Sequence, residues 1–412
     1  MAIWAKPHPL GPEISVDWSP TTDPDATPVW ASLTSRVREY HARLYRQTEL
    51  DEFQTGEFAV VLDNRDRELE PGYTGSSHSP NVLPRKRMRV QARHNAITYD
   101  RVGGFIRTLP ISWPGQLDAI VAVSAADYGM ALNRAQVTLN SYPEELAHTR
   151  IGRVLDAVGV PAGDRDLDTS DHMCAAIDAL DATSSNQQTV GALEHCRQAA
   201  LSDGGYLFVA RDGAITFHNR AHRRDVLGTP AGTLGDLPGE IPYQPSLVGQ
   251  MDDSRLWNRA AVLTADGTRE EASDSTSEGA YWPSRRDDFQ SLLARPGEAA
   301  ALASLFVWRY KDARLRFPTV ESLLVSSHMA TAHIAALLAA DVGTRFTVKR
   351  RPPGAGSAIS QDVHVDGIQE DVVRGQPWQL SLDVSPADPD TDFWVLGTST
   401  LQTGASPAVV GY

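Results

Sequence analysis

From Ser32 to Phe105 apolar and polar residues alternate in short runs broken by turn residues, the pattern of half-buried antiparallel strands. Phe58-Ala59-Val60-Val61-Leu62 predicts a strand and Asp63-Asn64-Arg65-Asp66 the turn after it. Between Arg85 and Arg93, Arg85, Arg87 and Arg89 alternate with Lys86, Met88 and Val90, which places three arginines on one face of a strand. A turn at His94-Asn95 leads into Ala96-Ile97-Thr98-Tyr99, and Gly103-Gly104 precedes Phe105-Ile106. This stretch reads as an antiparallel barrel or sandwich. Ahead of it, Pro7, Pro9, Pro12, Pro20, Pro24 and Pro28 exclude a long helix and predict an extended arm or edge segment.

The middle of the chain changes period. After the strand Ala119 to Ser124, helical spacing runs between Glu144 and Ala200, with helices over Ile151 to Val158 and Val190 to Leu201. Gly204-Gly205 supplies a helix stop, and Tyr206 to Ala210 pairs with Ala214 to Phe217 across Asp212-Gly213, a dipeptide suited to a tight hairpin turn. Val226 to Pro245, punctuated by Gly228, Gly232, Gly235 and Gly239, predicts a long connection. A strand over Asn258 to Thr264 follows, then a polar run, Thr268 to Gly279, expected as an exposed loop. Helices are expected at Gly297 to Lys311 and Ser326 to Ala340, and strands at Arg345 to Arg350, Gln361 to Gln369, Gln379 to Val384 and Phe393 to Leu396. The expected fold class is therefore α+β and β-rich, with two β-barrel-like domains around an α/β middle region. The expected divisions are an arm over 1–30, a first β domain over 31–112, a mixed domain over 113–250, a second β domain with two packed helices over 251–400, and a tail over 401–412. No internal repeat of fixed period is visible.

Charge and composition narrow the function. A net charge of −14 repels polyphosphate, so free nucleic acid is not an expected partner. No run of eighteen apolar residues exists, so no membrane span is expected, and the N-terminus lacks the pattern of a secretory signal. Cys174 and Cys196 are too few for a disulfide framework and lack zinc-site spacing. His172 with Cys174 and His195 with Cys196 could meet if their helices pack, but a third ligand is not spaced for them, and both pairs read as core. His328 and His333 fall on different faces of a helix. The acidic residues Asp51, Glu52, Asp63, Asp66, Glu68 and Glu70 flank a strand and turn, where such residues cap backbone groups. The phosphate-loop, zincin and nucleophile-elbow motifs are missing. No catalytic residue, metal or cofactor is expected.

Taken in order, several segments resemble minor tail proteins of long-tailed phages of actinobacteria. They are Glu49-Leu50-Asp51-Glu52-Phe53-Gln54-Thr55-Gly56, Ala59 to Arg67, Asn81-Val82-Leu83-Pro84, Val154 to Pro161, Ser202 to Phe208, Trp257-Asn258-Arg259-Ala260, Asp274 to Ser277 and Phe393 to Gly397. In place of that family's usual Arg-Gly-Arg this chain has Leu44-Tyr45-Arg46-Gln47. The resemblance implies a non-enzymatic virion protein, a tail-tip hub of three copies forming a pseudo-sixfold ring. Its implied partners are copies of itself, the tail tube or distal tail ring, other tip proteins and the tape measure protein; its implied place is the distal end of the tail, with assembly in the host cytoplasm. Arg85, Arg87 and Arg89 are the candidate interface residues. The rival readings are a hexameric distal tail ring, a cell-wall hydrolase, and a glycan-binding module in which Tyr281-Trp282 would offer the aromatic platform. A hydrolase domain would need more chain after Phe393-Trp394 than the sequence holds.

Overall fold

The computed structural model describes residues 11–19, 26–46, 53–177, 189–225, 228–251, 253–325, 329–354 and 356–387, with two short strands at Phe393–Trp394 and Val409–Val410. Eight strands fill the first third: β1 (Pro12–Asp17), β2 (Trp30–Ser32), β3 (Val37–Tyr45), β4 (Gln54–Asp63), β5 (Arg87–His94), β6 (Ile97–Thr108), β7 (Ile111–Gly115) and β8 (Asp118–Ala126). Their period-two text works as expected: Phe58, Val60 and Leu62 of β4 and Met88, Val90 and Ala92 of β5 are buried, while the residues between them are half-buried or exposed. The turn at Asn95-Ala96 puts both residues at positive φ and joins β5 to β6.

Strands from both ends of the chain form one sheet. Its path runs from Ile241–Pro242 through Thr233–Gly235, Arg345–Arg350 and Ile359–Val373, then β3, β4, β8, β6, β5, β1 and β2. Trp378–Pro386 and Thr319–Leu324 branch from it, and β7 pairs with β8. The seam is the antiparallel pairing of Ile359–Val373 with β3, from Gly367 opposite Tyr45 to Val373 opposite Glu39. At its start a side chain on Gly367 would meet the Arg46 carbonyl at 2.1 Å, so only glycine admits this approach. The path is open at both ends: among the described residues no pairing closes it into a barrel.

The sheet has one apolar core contributed by both ends. Tyr40, Val60 and Val90 share it with Leu337, Phe346, Val365 and Leu380. Trp378 is fully buried in it and meets the Tyr40 ring edge-on, with centroids 6.2 Å apart. A second core belongs to the middle region. Helices α1 (Gly129–Arg134), α2 (Ala147–Ala157) and α3 (Ala192–Asp203) pack there with Leu207, Ile215 and Phe217 of the predicted hairpin. The third and smallest core sets Val262 and Leu293 against Leu302 and Ala303 of the helix Pro296–Tyr310.

Within the stretch expected as an extended arm or edge segment, β1 is a strand paired with β2 and β5; Pro12 sits at its first position, where a missing N–H is tolerated. Three expectations are corrected. The polar run Thr268 to Gly279 holds the strand Arg269–Ser273 and most of the helix Ser275–Tyr281, whose first turn is capped by the Asp274 carboxylate accepting from Ser277 N. The connection Val226 to Pro245 contains two short strands of the main sheet. The helix expected from Ser326 begins at Thr331; Ser326 to His328 lie outside the described residues, as does most of 395–412.

Candidate functional site

Arg85, Arg87 and Arg89 do not share a strand face. Arg85 precedes β5 in a turn at φ +65° and is exposed, with its N–H donating to Ile106 O. Arg87 and Arg89 stand on β5 but hold the N-terminal segment: Arg87 donates to Ala26 O at 3.3 Å, and the Arg89 guanidinium lies 4.3 Å over the Trp30 ring. Between Arg85 and Arg87, buried Lys86 donates to Ser19 O. The alternation thus fastens β1 and β2 to the sheet, and Arg85 alone is left facing solvent.

Tyr281 and Trp282 stand at the end of the capped helix. Trp282 is 83% exposed and takes φ +69°, a conformation held from below by Asn258, which is fully buried. Asn258 donates to Trp282 O at 2.8 Å and accepts from Ser284 N at 2.8 Å, while Lys311 pairs with Asp274 at 2.9 Å. A large ring is therefore presented on a braced turn, with Tyr281 beside it 42% exposed.

Among the described residues the histidines and cysteines form no reactive set. Both thiols are buried, and burial pushes each up to about 12, so neither ionises near neutral pH. His195 is lowered to about 4 by burial. Ser170, His172 and Asp203 do meet, but Ser170 Oγ and His172 Nδ1 reach the same Asp203 oxygen, at 2.5 and 2.8 Å. The serine is not hydrogen-bonded to the imidazole, so this is not a nucleophile–base relay. Asp203 Oδ2 accepts instead from Arg220 N, which ties the end of α3 to the hairpin. Among the described residues no three His, Cys, Asp or Glu side chains are grouped to hold a metal. Of the acidic residues, Asp63 pairs with Arg38 and Arg65, Asp66 with Arg36 and Glu70 with Arg67; Asp51, Glu52 and His328 lie outside the described residues.

Two arginine constellations were not visible in the sequence. At the seam, Arg46 bonds Asp366 at 2.6 Å and Arg223 bonds the same oxygen at 2.9 Å. Burial opposes ionisation of Asp366, but the charges of Arg46 and Arg223 overcome it and hold the carboxyl well below its ordinary range. Both guanidiniums lie over the Tyr206 ring, at 4.7 and 4.2 Å, and Arg46 also covers Phe53 at 4.4 Å. Deeper in the sheet, fully buried Arg101 donates to Glu370 and to Leu338 O, and Arg211 stands 3.8 Å from the same carboxylate. These networks link β3, β6, the hairpin and Ile359–Val373, segments far apart in the chain.

With this geometry in hand, the likeness to solved proteins is informative. The chain shares the fold of phage tail proteins. It matches the tail protein from Neisseria meningitidis MC58 at a TM-score of 0.57, with 12% identity over 92% of this chain and 97% of that one. The 43 kDa tail protein of prophage MuSo2 from Shewanella oneidensis follows at 0.54, with 11% identity over 91% and 96%. The prophage tail protein gp18 from Listeria monocytogenes EGD-e matches at 0.50, with 8% identity over 90% and 94%. No protein-family model and no curated protein matches the sequence. At these identities the likeness is one of fold, and it spans nearly the whole of both chains in each pair.

Proposed function

We propose that this chain is a structural protein of a phage tail tip: a hub of three copies, non-enzymatic, that joins the tail tube and distal tail ring to more distal tip proteins and helps close the lumen before DNA ejection. The observation that carries the reading is end-to-end agreement of fold with the tail protein from Neisseria meningitidis, 92% of one chain on 97% of the other. The sequence resemblance to tail proteins of actinobacterial long-tailed phages points the same way, and siphovirus-type tails of such phages are the proposed setting. A sheet joined across both ends by buried ion pairs suits a part that must stay rigid under load, with obligate interfaces of roughly 2,000 Å² or more holding the ring. Antibody raised against the chain should decorate the distal end of intact tails; virions free of the antigen would overturn the proposal. Purified chain should leave cell-wall material intact on zymography, and clearing would replace it with the hydrolase reading.

One observation favours a second reading, surface recognition. The braced, 83% exposed Trp282 is the kind of flat apolar face that stacks on a sugar ring. Binding to host glycans that is lost in Trp282→Ala would favour it, and equal binding by both proteins would remove it.

A further inference from the structure

Beside the Arg46–Asp366 pair lies a partly enclosed cavity of about 220 Å³. Arg46, Arg197, Arg286 and Arg309 line it together with aromatic rings, and none of its described lining residues is acidic. Arg46 is matched by Asp366, Arg197 donates to Phe53 O, and Arg309 donates to Tyr206 OH at 3.3 Å. Arg286 differs. Its guanidinium lies 3.8 Å over Phe306 and within 5.7 Å of the Trp257 and Phe289 rings, and its buried Nη1 has no hydrogen-bond partner. A guanidinium held among ring faces is desolvated, and no carboxylate is hydrogen-bonded to it to repay this; Asp287 acts on it only at a distance.

We propose that this cavity binds a peptide carboxylate carried next to an apolar side chain, the charge meeting Arg286 and the side chain entering among Trp257, Phe306 and Tyr310. The size fits one or two residues and is smaller than the ~300–1,000 Å³ usual for small-molecule sites. The walls argue against a bare inorganic anion, which would lose hydration against rings that cannot replace it. The carboxylate could be a chain end or an acidic side chain of a neighbouring protein, and the chemistry is shared. The site stands independently of the tail assignment, because the isolated chain contains all of it.

The test is calorimetric or NMR titration of the full chain with N-acetylphenylalanine, its uncharged amide, N-acetylaspartyl-phenylalanine amide and inorganic phosphate. At least one of the two carboxylate probes should bind at least tenfold more tightly than the uncharged amide, with affinity falling as salt rises; the tighter of the two tells chain end from side chain. Arg286→Met should abolish that preference, while Arg286→Lys, which keeps the charge, should retain part of it and show that loss in the first variant is not misfolding. Neither carboxylate being preferred over the amide, phosphate binding as tightly as the better carboxylate, or Arg286→Met binding like the parent chain would each overturn the proposal.

Discussion

Arg101 is a fully buried guanidinium and Arg286 a half-buried one, and what faces each of them differs. Arg101 is sealed inside the sheet with Glu370 on one side and the Leu338 carbonyl on the other. Arg286 faces Phe306, Trp257 and Phe289, and burial lowers its guanidinium from its ordinary value with no hydrogen-bonded carboxylate to restore it. A matched buried cation belongs to the frame: removing its partner strands a charge. An unmatched one is held by ring faces alone and keeps hydrogen-bonding capacity free for an anionic ligand. Arg46, which lines the cavity, and Arg223, which covers the lining ring of Tyr206, stand between these cases, since they share a single carboxylate, Asp366.

The comparison predicts a graded set of effects. Glu370→Gln leaves Arg101 buried without its counter-charge and should cost about 3–5 kcal/mol, read as a shift in the urea midpoint; a loss below about 1 kcal/mol would remove the distinction between the clusters. Asp366 comes next. Its folded-state pKa is depressed, so its contribution is fully present above the unfolded value of about 4 and is lost as pH falls below that value toward the folded one. Stability measured from pH 6 downward should therefore fall more steeply for the parent chain than for Asp366→Asn, and parallel curves would break the assignment. The smallest effect belongs to Arg286→Met. Without an acidic partner left behind, and with Met filling similar space, the change should stay within about 1 kcal/mol in either direction. A loss as large as that of Glu370→Gln would show Arg286 to be part of the frame.

Much of the sheet was legible because alternation is local: β4, β5 and the hairpin around Asp212-Gly213 need only neighbouring residues to be read. The helix Ser275–Tyr281 was hidden inside serine- and threonine-rich text, although Asp274 three residues before Ser277 is a capping signal. The strands Thr233–Gly235 and Ile241–Pro242 were lost among glycines and prolines because tertiary pairing, not propensity, makes them strands. Arg87 and Arg89 were correctly placed on a strand, yet what they touch, Ala26 and Trp30, is set by the return of the N-terminal segment. The cavity was invisible for a stronger reason. Arg46, Arg197, Arg286 and Arg309 come from four separate segments, and nothing in their spacing announces that folding brings them to one wall.

The proposed role as a hub at the tail tip is tested most directly by copy number in place. Imaging and averaging of purified virions, with density fitted by this chain, should show three copies in a pseudo-sixfold ring below the tail tube. Six copies would reassign the chain to the distal tail ring, and copies found only at the periphery, away from the tail axis, would contradict the hub account outright.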